Sequence, residues 1–355
     1  MSDPERGPRD SGPEAAFAGA RLHIVTGKGG TGKTTAAAAL ALSLASRGGR
    51  VLLVEVEGRQ GVAALLGSAA LPYEEREMLR AANGGSVHVL AADAEAALLE
   101  YLEMFYGIRR AGQALTRLGA VDFATTVAPG LRDVLLTGKA TEAVRRRAGG
   151  RRHSSDGPGN APFHYDSVVM DAPPTGRIGQ FLNVNSEVAG LARVGPVRSH
   201  ADRVMEVIRS ERTRVHFVTL LEEMPAQETR DGINEISGLG LNLGAVLVNM
   251  VAPPLLGGAD LAAAAAGELD TAELVRGLKA ARLETASAEA PEALAADLAG
   301  QVRAHALRHL LQERVRGELE GLGPPLLELP LLEGGADRAA LASLARRLSE
   351  QGVGR

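Results

Sequence analysis

The sequence predicts an α/β fold with a mostly parallel sheet, helices on both of its faces and a helical subdomain. Short apolar runs rich in β-branched residues recur along the chain, and Ala- and Leu-rich runs of helical length separate them. Four segments follow one another near the start of the chain: an apolar run over 22–26, a glycine-rich loop, a helix-forming run over 34–46 and an apolar run over 51–56. This order predicts a right-handed crossover between two parallel strands.

The remaining apolar runs extend the sheet and mark where it is interrupted. They predict five more strands, over 87–91, 167–170, 215–221, 245–248 and 326–329. The stretches 73–148 and 261–319 have helical spacing, with one weak strand inside the first. We expect both to form a helical subdomain within a single domain over 21–355.

Two polar stretches lie outside this α/β pattern. Residues 1–20 are rich in Gly, Pro and charge, and they predict a disordered N-terminal tail. Residues 149–162 include a polar run with many helix and strand breakers, which predicts a flexible surface loop.

Composition excludes several kinds of function. The chain has 355 residues, a formal net charge of −4 and no Cys. Without cysteine it forms no disulfide and no thiolate zinc site, which fits a reduced cytoplasmic compartment. A net negative charge provides no global attraction to nucleic acid. We find no apolar run of membrane-spanning length and no secretory leader, so a cytoplasmic protein without a nucleic-acid partner is expected.

The glycine-rich loop has the spacing of a phosphate-binding P-loop. Backbone N–H groups in such a loop point at phosphate oxygens, and the following helix adds its positive N-terminal end. In this pattern Lys33 contacts the β- and γ-phosphates, and the Thr34 hydroxyl is a ligand of Mg²⁺. The predicted nucleotide-binding residues of the loop are Gly27, Gly29, Gly30, Thr31, Gly32, Lys33, Thr34 and Thr35.

A second motif follows the predicted strand over 167–170. Asp171 comes directly after the strand, and a turn with Pro173, Pro174 and Gly176 comes next. A carboxylate at this end of a strand can hold Mg²⁺ through water, and the turn can sense the γ-phosphate. Asp171 is therefore a predicted metal-site residue, together with Thr34.

These motifs resemble the deviant Walker A group of P-loop ATPases. The run GKGGTGKTT from Gly27 and the turn after Asp171 look most like those of the arsenite-pump and tail-anchored-protein targeting ATPases, and the chain as a whole is most similar to the actinobacterial ArsA-like, or anion-transporting, ATPase subunits. The turn departs from the family pattern at Arg177, where the family has His. The resemblance implies ATP and Mg²⁺ as ligands and a catalytic role for Lys33. It also implies that Lys28 reaches the nucleotide of a partner chain, although a solvated loop lysine is the alternative.

The residues after the second strand depart most from that family. Glu57 stands where the family has the Asp that positions the attacking water, and Gly58 replaces a proline. The extra methylene moves the carboxylate by roughly 1 Å, and a misplacement of that size can cost about a hundredfold in rate. Glu57 is either a working, slow catalytic residue, or the site binds ATP and hardly cleaves it. Glu55 is the second candidate.

The resemblance implies that two residues contact the base of the nucleotide. Asn249 ends the strand over 245–248, where the family's Asn reads the adenine edge, and Pro330 lies where a late loop covers the base. Each has an ordinary alternative, since Asn is common at strand ends and proline terminates strands.

The same resemblance sets expectations about partners. A single P-loop with Lys28 implies that the protein forms a dimer. The partner is either a second copy, in a homodimer, or a paralogous ArsA-like ATPase, and Glu57 favours the heterodimer. The family's arsenite site and zinc clamp use cysteine, so we expect neither here. The helical stretches 73–148 and 261–319 either hold a hydrophobic or membrane-protein client or simply pack on the sheet and on each other.

Overall fold

The computed structural model describes residues 12–106, 129–148, 161–183, 196–281 and 290–354. The chain divides into two compact units. The first contains the sheet and is formed by the described residues up to Leu220, by Met224–Val251 and by the residues from Leu322 onward. The second is formed by Leu221–Glu223 and Ala252–Gly321.

The sheet of the first unit has eight strands in the order β3-β4-β2-β5-β1-β6-β7-β8. All neighbours are parallel except the pair of β3 and β4. The strands are β1 Leu22–Gly27, β2 Arg50–Glu55, β3 Arg76–Arg80, β4 Ser86–Ala91, β5 Ser167–Asp171, β6 Thr213–Thr219, β7 Leu243–Val251 and β8 Leu326–Pro330. The α/β sheet and its seven predicted strands are confirmed, and β3 is added to them.

Helices cover the sheet and form the second unit. Those described are α1 Lys33–Ala45, α2 Gly61–Leu65, α3 Ala94–Tyr106, α4 Pro129–Arg145, α5 Thr175–Leu182, α6 Pro196–Ile208, α7 Glu223–Gly238, α8 Gly258–Ala266, α9 Thr271–Ala280, α10 Ala290–Glu320 and α11 Arg338–Glu350. No helix within the described ranges has both the length and the apolar character needed to cross a membrane.

Both faces of the sheet are buried at its centre, because successive residues of β1 and β5 point to opposite faces and nearly all are shielded from solvent. One face of the sheet packs against α1 and α11. The apolar core between them includes Val25, Leu53, Val169, Val218 and Leu247. The intervening residues point to the other face, where α4 and α5 contact the central strands, and they include Ile24, Leu52, Met170, Phe217 and Val246. The predicted arrangement of helices on both faces is confirmed.

The predicted helical subdomain needs a correction. The stretch 73–148 contains β3 and β4, which extend the sheet beyond β2, and α3 packs on α4 in the same unit. The stretch 261–319 lies in the second unit, where α8 and α10 share a small core of Leu261, Ala264 and Ala306. The two stretches therefore belong to different units. Strand β3 has no β-branched residue, and pairing with the open edge of β4 decides its conformation.

The predicted disordered tail also needs a correction within the described part of the chain. Pro13–Ala16 form a short 3₁₀ helix, and Phe17 is buried against a pair of histidines. Its ring stacks on His216 with 4.8 Å between centroids and on His23 with 5.8 Å. Burial of one aromatic side chain orders the segment, which composition alone did not indicate. Residues 1–11, and residues 149–160 of the predicted flexible loop, lie outside the described residues.

Candidate functional site

The P-loop lies where the sequence predicts it, between the end of β1 and the start of α1. A Cβ on Gly27 would overlap the carbonyl oxygen of Val218 on β6, so only glycine fits there. Gly32 has a φ of +82°, and a Cβ on it would overlap the side-chain amide of Asn249. These close approaches make glycine necessary at both ends of the loop.

The loop directs a positive group and backbone donors at one cavity. Lys33 is the first residue of α1, and only 9% of it is exposed. Thr31 is buried, and its hydroxyl donates to the carbonyl oxygen of Lys28 at 2.9 Å, which fixes the curve of the loop. The N-terminus of α1 adds partial positive charge at the same place.

Asp171 and Thr34 meet at the carboxyl edge of the sheet. Because β5 lies between β1 and β2, Asp171 pairs in register with both Val25 and Glu55. The Thr34 hydroxyl donates to Asp171 Oδ2 at 2.6 Å. Burial raises the pKa of Asp171 to about 6, and the nearby Glu55 adds to the increase while the Thr34 hydroxyl opposes it. The pKa is raised because burial disfavours the charged carboxylate by more than Thr34 and Lys33 stabilise it.

The residues present fit a magnesium nucleotide. A cavity of about 270 Å³ is lined by Gly30, Gly32, Lys33, Thr34, Thr35, Glu55, Glu57, Arg59 and Asp171. Hydroxyl and carboxylate oxygens suit Mg²⁺, which keeps several waters and takes few protein ligands. In the described part of the chain no three His, Asp or Glu side chains form a metal cluster of their own. A cation here would thus depend on Thr34, Asp171 and the phosphate oxygens.

The loop after β5 is tied to the P-loop at a second point. The Thr26 hydroxyl donates to the carbonyl oxygen of Pro173 at 2.7 Å, and Thr26 is fully buried. At the start of α5, the Thr175 hydroxyl donates to Glu228 Oε2 at 3.0 Å. Short hydrogen bonds therefore join the loop after β5 both to the end of β1 and to α7.

Lys28 is part of the same connection but does not line the phosphate cavity. Its ammonium lies 2.9 Å from Glu228 Oε1, with about a third of each side chain exposed, at 30% and 36%. Hydrogen bonding from Lys28 holds the pKa of Glu228 below its usual value. The sequence analysis did not predict this link between Lys28 and Glu228. The chemical signal was a carboxylate on the helix that follows the strand next to β1.

The two glutamates after β2 have different surroundings. The carboxylate of Glu55 is buried and accepts hydrogen bonds from the backbone N–H of Gly61 at 2.6 Å and of Val62 at 3.3 Å. Glu57 lines the cavity, its side chain is 19% exposed, and it lies 3.9 Å from Arg59. Both glutamates line the cavity, but Glu55 is occupied as an anchor for α2, whereas Glu57 has only the distant contact with Arg59.

The two predicted base-contacting residues lie on neighbouring strands. Asn249 is 5% exposed, and its amide donates to the carbonyl oxygen of Thr31 at 2.9 Å. Pro330 ends β8 and pairs in register with Val251 at the end of β7. Asn249 thus contacts the P-loop, and β7 and β8 lie on the side of β1 opposite β2.

Comparison with known proteins agrees with this geometry. The family model described as anion-transporting ATPase matches residues 20–194, which include the P-loop and Asp171. The chain belongs to the anion-transporting ATPase family. It is 48% identical to the ATPase BagA of Mycobacterium tuberculosis and to an ATPase of Mycobacterium bovis, in each case over 95% of both chains. It is 23% identical to an Aquifex aeolicus protein named as an arsenical pump-driving ATPase, over 66% of this chain and 81% of that one.

Membership of this family makes the chain an ArsA-like, ATP-binding P-loop protein, and it supports ATP hydrolysis at the level of the family. It also implies nucleotide binding of the kind that usually involves Mg²⁺. The resemblance to ArsA-like ATPases is confirmed. The role of each site residue stays a prediction.

Proposed function

We propose that the protein is an Mg²⁺-dependent ATPase whose site is completed by a second chain. Its nucleotide state would open and close that dimer to bind or release a hydrophobic or membrane-protein client. The observation that carries the proposal is the chain of contacts from Lys28 through Glu228 to Thr175. These contacts connect Lys28, which does not line the phosphate cavity of its own chain, to the loop that follows Asp171.

Lys28 is well placed to act on another chain. Its own cavity already contains Lys33, and the Lys28 ammonium contacts a partly exposed carboxylate instead. An exposed ion pair contributes at most about 1 kcal/mol, so a nucleotide phosphate can replace Glu228 at low cost. Release of Glu228 would then alter the surroundings of Thr175, which gives the second chain a way to affect the loop after Asp171.

Cleavage of ATP would depend on Glu57. A carboxylate with access to the cavity can orient a water molecule and accept its proton. Among the cavity carboxylates, Asp171 is hydrogen-bonded to Thr34 and Glu55 to α2, while Glu57 faces only the exposed guanidinium of Arg59. The general base that we propose is therefore Glu57.

A second chain would cover the carboxyl edge of the sheet around Lys28. Apolar side chains are exposed in the segments that leave this edge, including Met224 at 61% and Leu331 at 50%. The second chain is either another copy or a paralogous ATPase. We favour the paralogue, because Glu57 replaces the usual Asp and a more orthodox partner would supply the faster site.

A client surface is supported by α10 of the second unit. Leu307, Leu310 and Leu311 are 50%, 47% and 41% exposed and lie on one side of this helix at spacings of three and four residues. An exposed apolar stripe of this kind fits an apolar segment of another protein.

Single-turnover cleavage of ATP by the isolated chain, by a paralogous ArsA-like chain and by their mixture tests the proposal. We expect Lys33→Ala to abolish nucleotide binding. We expect Lys28→Ala to leave binding by the isolated chain within about twofold and to reduce cleavage by the mixture at least tenfold, as loss of a transition-state contact does. Glu222→Gln, which changes a carboxylate six residues before Glu228 in the sequence, is a control variant.

A second candidate function is a regulatory subunit that binds ATP and does not cleave it. The replacement of the family's Asp by Glu57 favours this candidate. It predicts that this chain cleaves no ATP alone or in the mixture, and that Lys33→Ala in this chain still lowers the rate of the paralogue. Loss of cleavage in the mixture on Glu57→Gln would reject it.

A further inference from the structure

A second cavity lies at the other end of α1 from the P-loop. Its volume is about 450 Å³, and it is bounded by the end of α1, the end of β3 and α11. Among the described residues, none lines both this cavity and the phosphate cavity. Since a helix rises about 1.5 Å per residue, Ser46 at the cavity wall lies roughly 20 Å along α1 from Lys33. The cavity is therefore a separate feature of the first unit.

Hydrogen bonds join the walls of this cavity to one another. Near the end of α11, the Ser349 hydroxyl lies 2.8 Å from the Ser43 hydroxyl of α1. At the beginning of α11, the Arg338 guanidinium donates to the carbonyl oxygen of Met78 in β3 at 3.0 Å. Helix α11 is thus tied both to α1 and to β3, so the space between them is preformed, as it is in most small-molecule sites.

The interior of the cavity is apolar. Leu42, Ala81 and Ala345 line it, and each is less than 10% exposed. The alanines leave open the space that larger side chains would fill. Ser46 and Ser349 also line the cavity, but both donate their hydroxyls to backbone carbonyl oxygens of the preceding turn. Such an interior suits hydrocarbon, which needs no hydrogen bonds and whose transfer from water is favourable.

The charged groups of the lining all have one sign. Arg80 and Arg346 line the cavity, and no described lining residue is Asp or Glu. Arg80 is hydrogen-bonded to Glu77, whereas Arg346 makes no ion pair within the part of the chain that the structure describes. Arg347 differs, since it lies 3.8 Å from Glu350 and does not line the cavity. Arg346 therefore presents an exposed guanidinium, a planar group that matches a carboxylate with two parallel hydrogen bonds.

We propose that this cavity binds an amphiphilic anion, a single alkyl chain that ends in a carboxylate, as in a free fatty acid. The alkyl chain lies beside Leu42 and Ala345, and the carboxylate pairs with Arg346 at the surface. An acidic peptide fits less well, because its backbone N–H and C=O groups would enter an apolar space without partners. A small inorganic anion would leave the apolar walls uncovered. The site shares no described residue with the phosphate cavity, so it adds a ligand to the proposed function and does not depend on it.

Calorimetry with the full-length chain tests this assignment with three ligands. Decanoate has both the alkyl chain and the charge, decanol has the same alkyl chain without the charge, and butanoate has the charge on a short chain. We expect decanoate to bind at least about tenfold more tightly than either of the others, because burial of methylenes and pairing with a guanidinium both contribute to its affinity.

Two pairs of variants locate the site. Arg346→Gln removes the charge, so we expect decanoate affinity to fall about three- to tenfold while decanol affinity stays within about twofold. Arg347→Gln, on the same helix, is the matched control and should change neither affinity. Ala342→Leu fills the cavity from an exposed lining position, and we expect the affinities for decanoate and decanol both to fall at least about tenfold. Ser343→Leu is its control, because the next residue is also exposed and does not line the cavity.

Thermal unfolding without ligand shows whether the four variants are folded, and we expect their melting temperatures to stay within about 4 °C of the unaltered chain. Equal affinity for decanoate and decanol, unchanged decanoate affinity in Arg346→Gln or in Ala342→Leu, or equal losses in a variant and its control would each overturn the assignment. So would a chain that binds an acidic, leucine-containing hexapeptide or vesicles of anionic phospholipid but not decanoate, since its partner would then be a protein or a membrane surface.

Discussion

The loops that follow β5 and β2 both line the phosphate cavity, yet they are held in different ways. After β5, Asp171 is hydrogen-bonded to Thr34, and Pro173 to Thr26, so buried contacts join this loop to the P-loop. After β2, the buried anchor is Glu55, while Glu57 contacts only an exposed arginine at 3.9 Å. The difference teaches that the predicted metal-site residues are held by buried hydrogen bonds, whereas the proposed catalytic carboxylate has only a distant ion pair.

The largest expected effect comes from the loop after β2, which contains Glu57. Glu57→Gln removes the proposed general base, so we expect single-turnover ATP cleavage to fall about 100-fold while ATP affinity stays within about twofold. Arg59→Ala is the matched control, because its ion pair with Glu57 is exposed and should change the rate less than about threefold. An unchanged rate in Glu57→Gln would remove this loop from the chemistry.

Loss of Asp171 should act on binding instead. Asp171→Asn removes the charge that would hold Mg²⁺ beside Thr34, and we expect the Mg²⁺ concentration needed for ATP binding to rise about 10- to 100-fold. A magnesium titration with a fluorescent ATP analogue measures this. Asp166→Asn is the control, since Asp166 caps the backbone N–H of Arg50 at the opposite end of β5. Equal magnesium requirements in Asp171→Asn and the unaltered chain would show that Asp171, at the end of β5, holds no metal ion.

A smaller effect is expected for the anchor of α2. Glu55→Gln keeps the shape of the side chain and weakens two hydrogen bonds to backbone N–H groups at 2.6 and 3.3 Å. We expect the free energy of unfolding to fall by about 1–2 kcal/mol, as for a charged acceptor replaced by a neutral one. Urea unfolding without nucleotide measures this, with Glu74→Gln on the surface as the control. No change in stability would mean that Glu55 does not anchor the loop.

The smallest effect concerns Gln60, at the end of the same loop. Its amide makes two hydrogen bonds to the backbone of Leu71, at 2.8 and 3.0 Å, and its φ is +55°. Both Gln60→Ala and Gln60→Gly lose these bonds, but glycine tolerates the positive φ. Thermal unfolding should therefore find the alanine variant less stable than the glycine variant by about 1 kcal/mol. The reverse order would show that the backbone rearranges when the side chain is lost.

The strands and the P-loop could be predicted because their signals are local. An apolar run with the right period and a glycine loop of fixed spacing need no distant partner to be recognised. Strand β3, with residues Arg76–Arg80, could not be predicted in this way, because its conformation depends on the open edge of β4. Phe17 was missed for a related reason, since its ring is ordered by histidines 6 and 199 residues further along the chain.

The residues of the candidate site fall into the same two groups: those that local motifs predict and those that only the tertiary structure reveals. Lys33, Thr34 and Asp171 were found from motifs, and the structure brings Thr34 and Asp171 together across 137 residues. The Glu228 link to Lys28 was missed, because a glutamate does not signal a site by its residue type alone. Glu228 becomes notable only when α7 brings it to the P-loop.

By itself, the sequence determined the fold class, the family and the position of the phosphate-binding loop. Those properties follow from local periodicity and from a nine-residue motif whose glycines have a direct steric purpose. Only the tertiary structure decided which of the two glutamates near the end of β2 is held by hydrogen bonds to α2, and where Lys28 is held. Each of these depends on a contact between strands or helices distant in sequence, and such contacts arise when parallel strands align their carboxyl ends at one edge of the sheet.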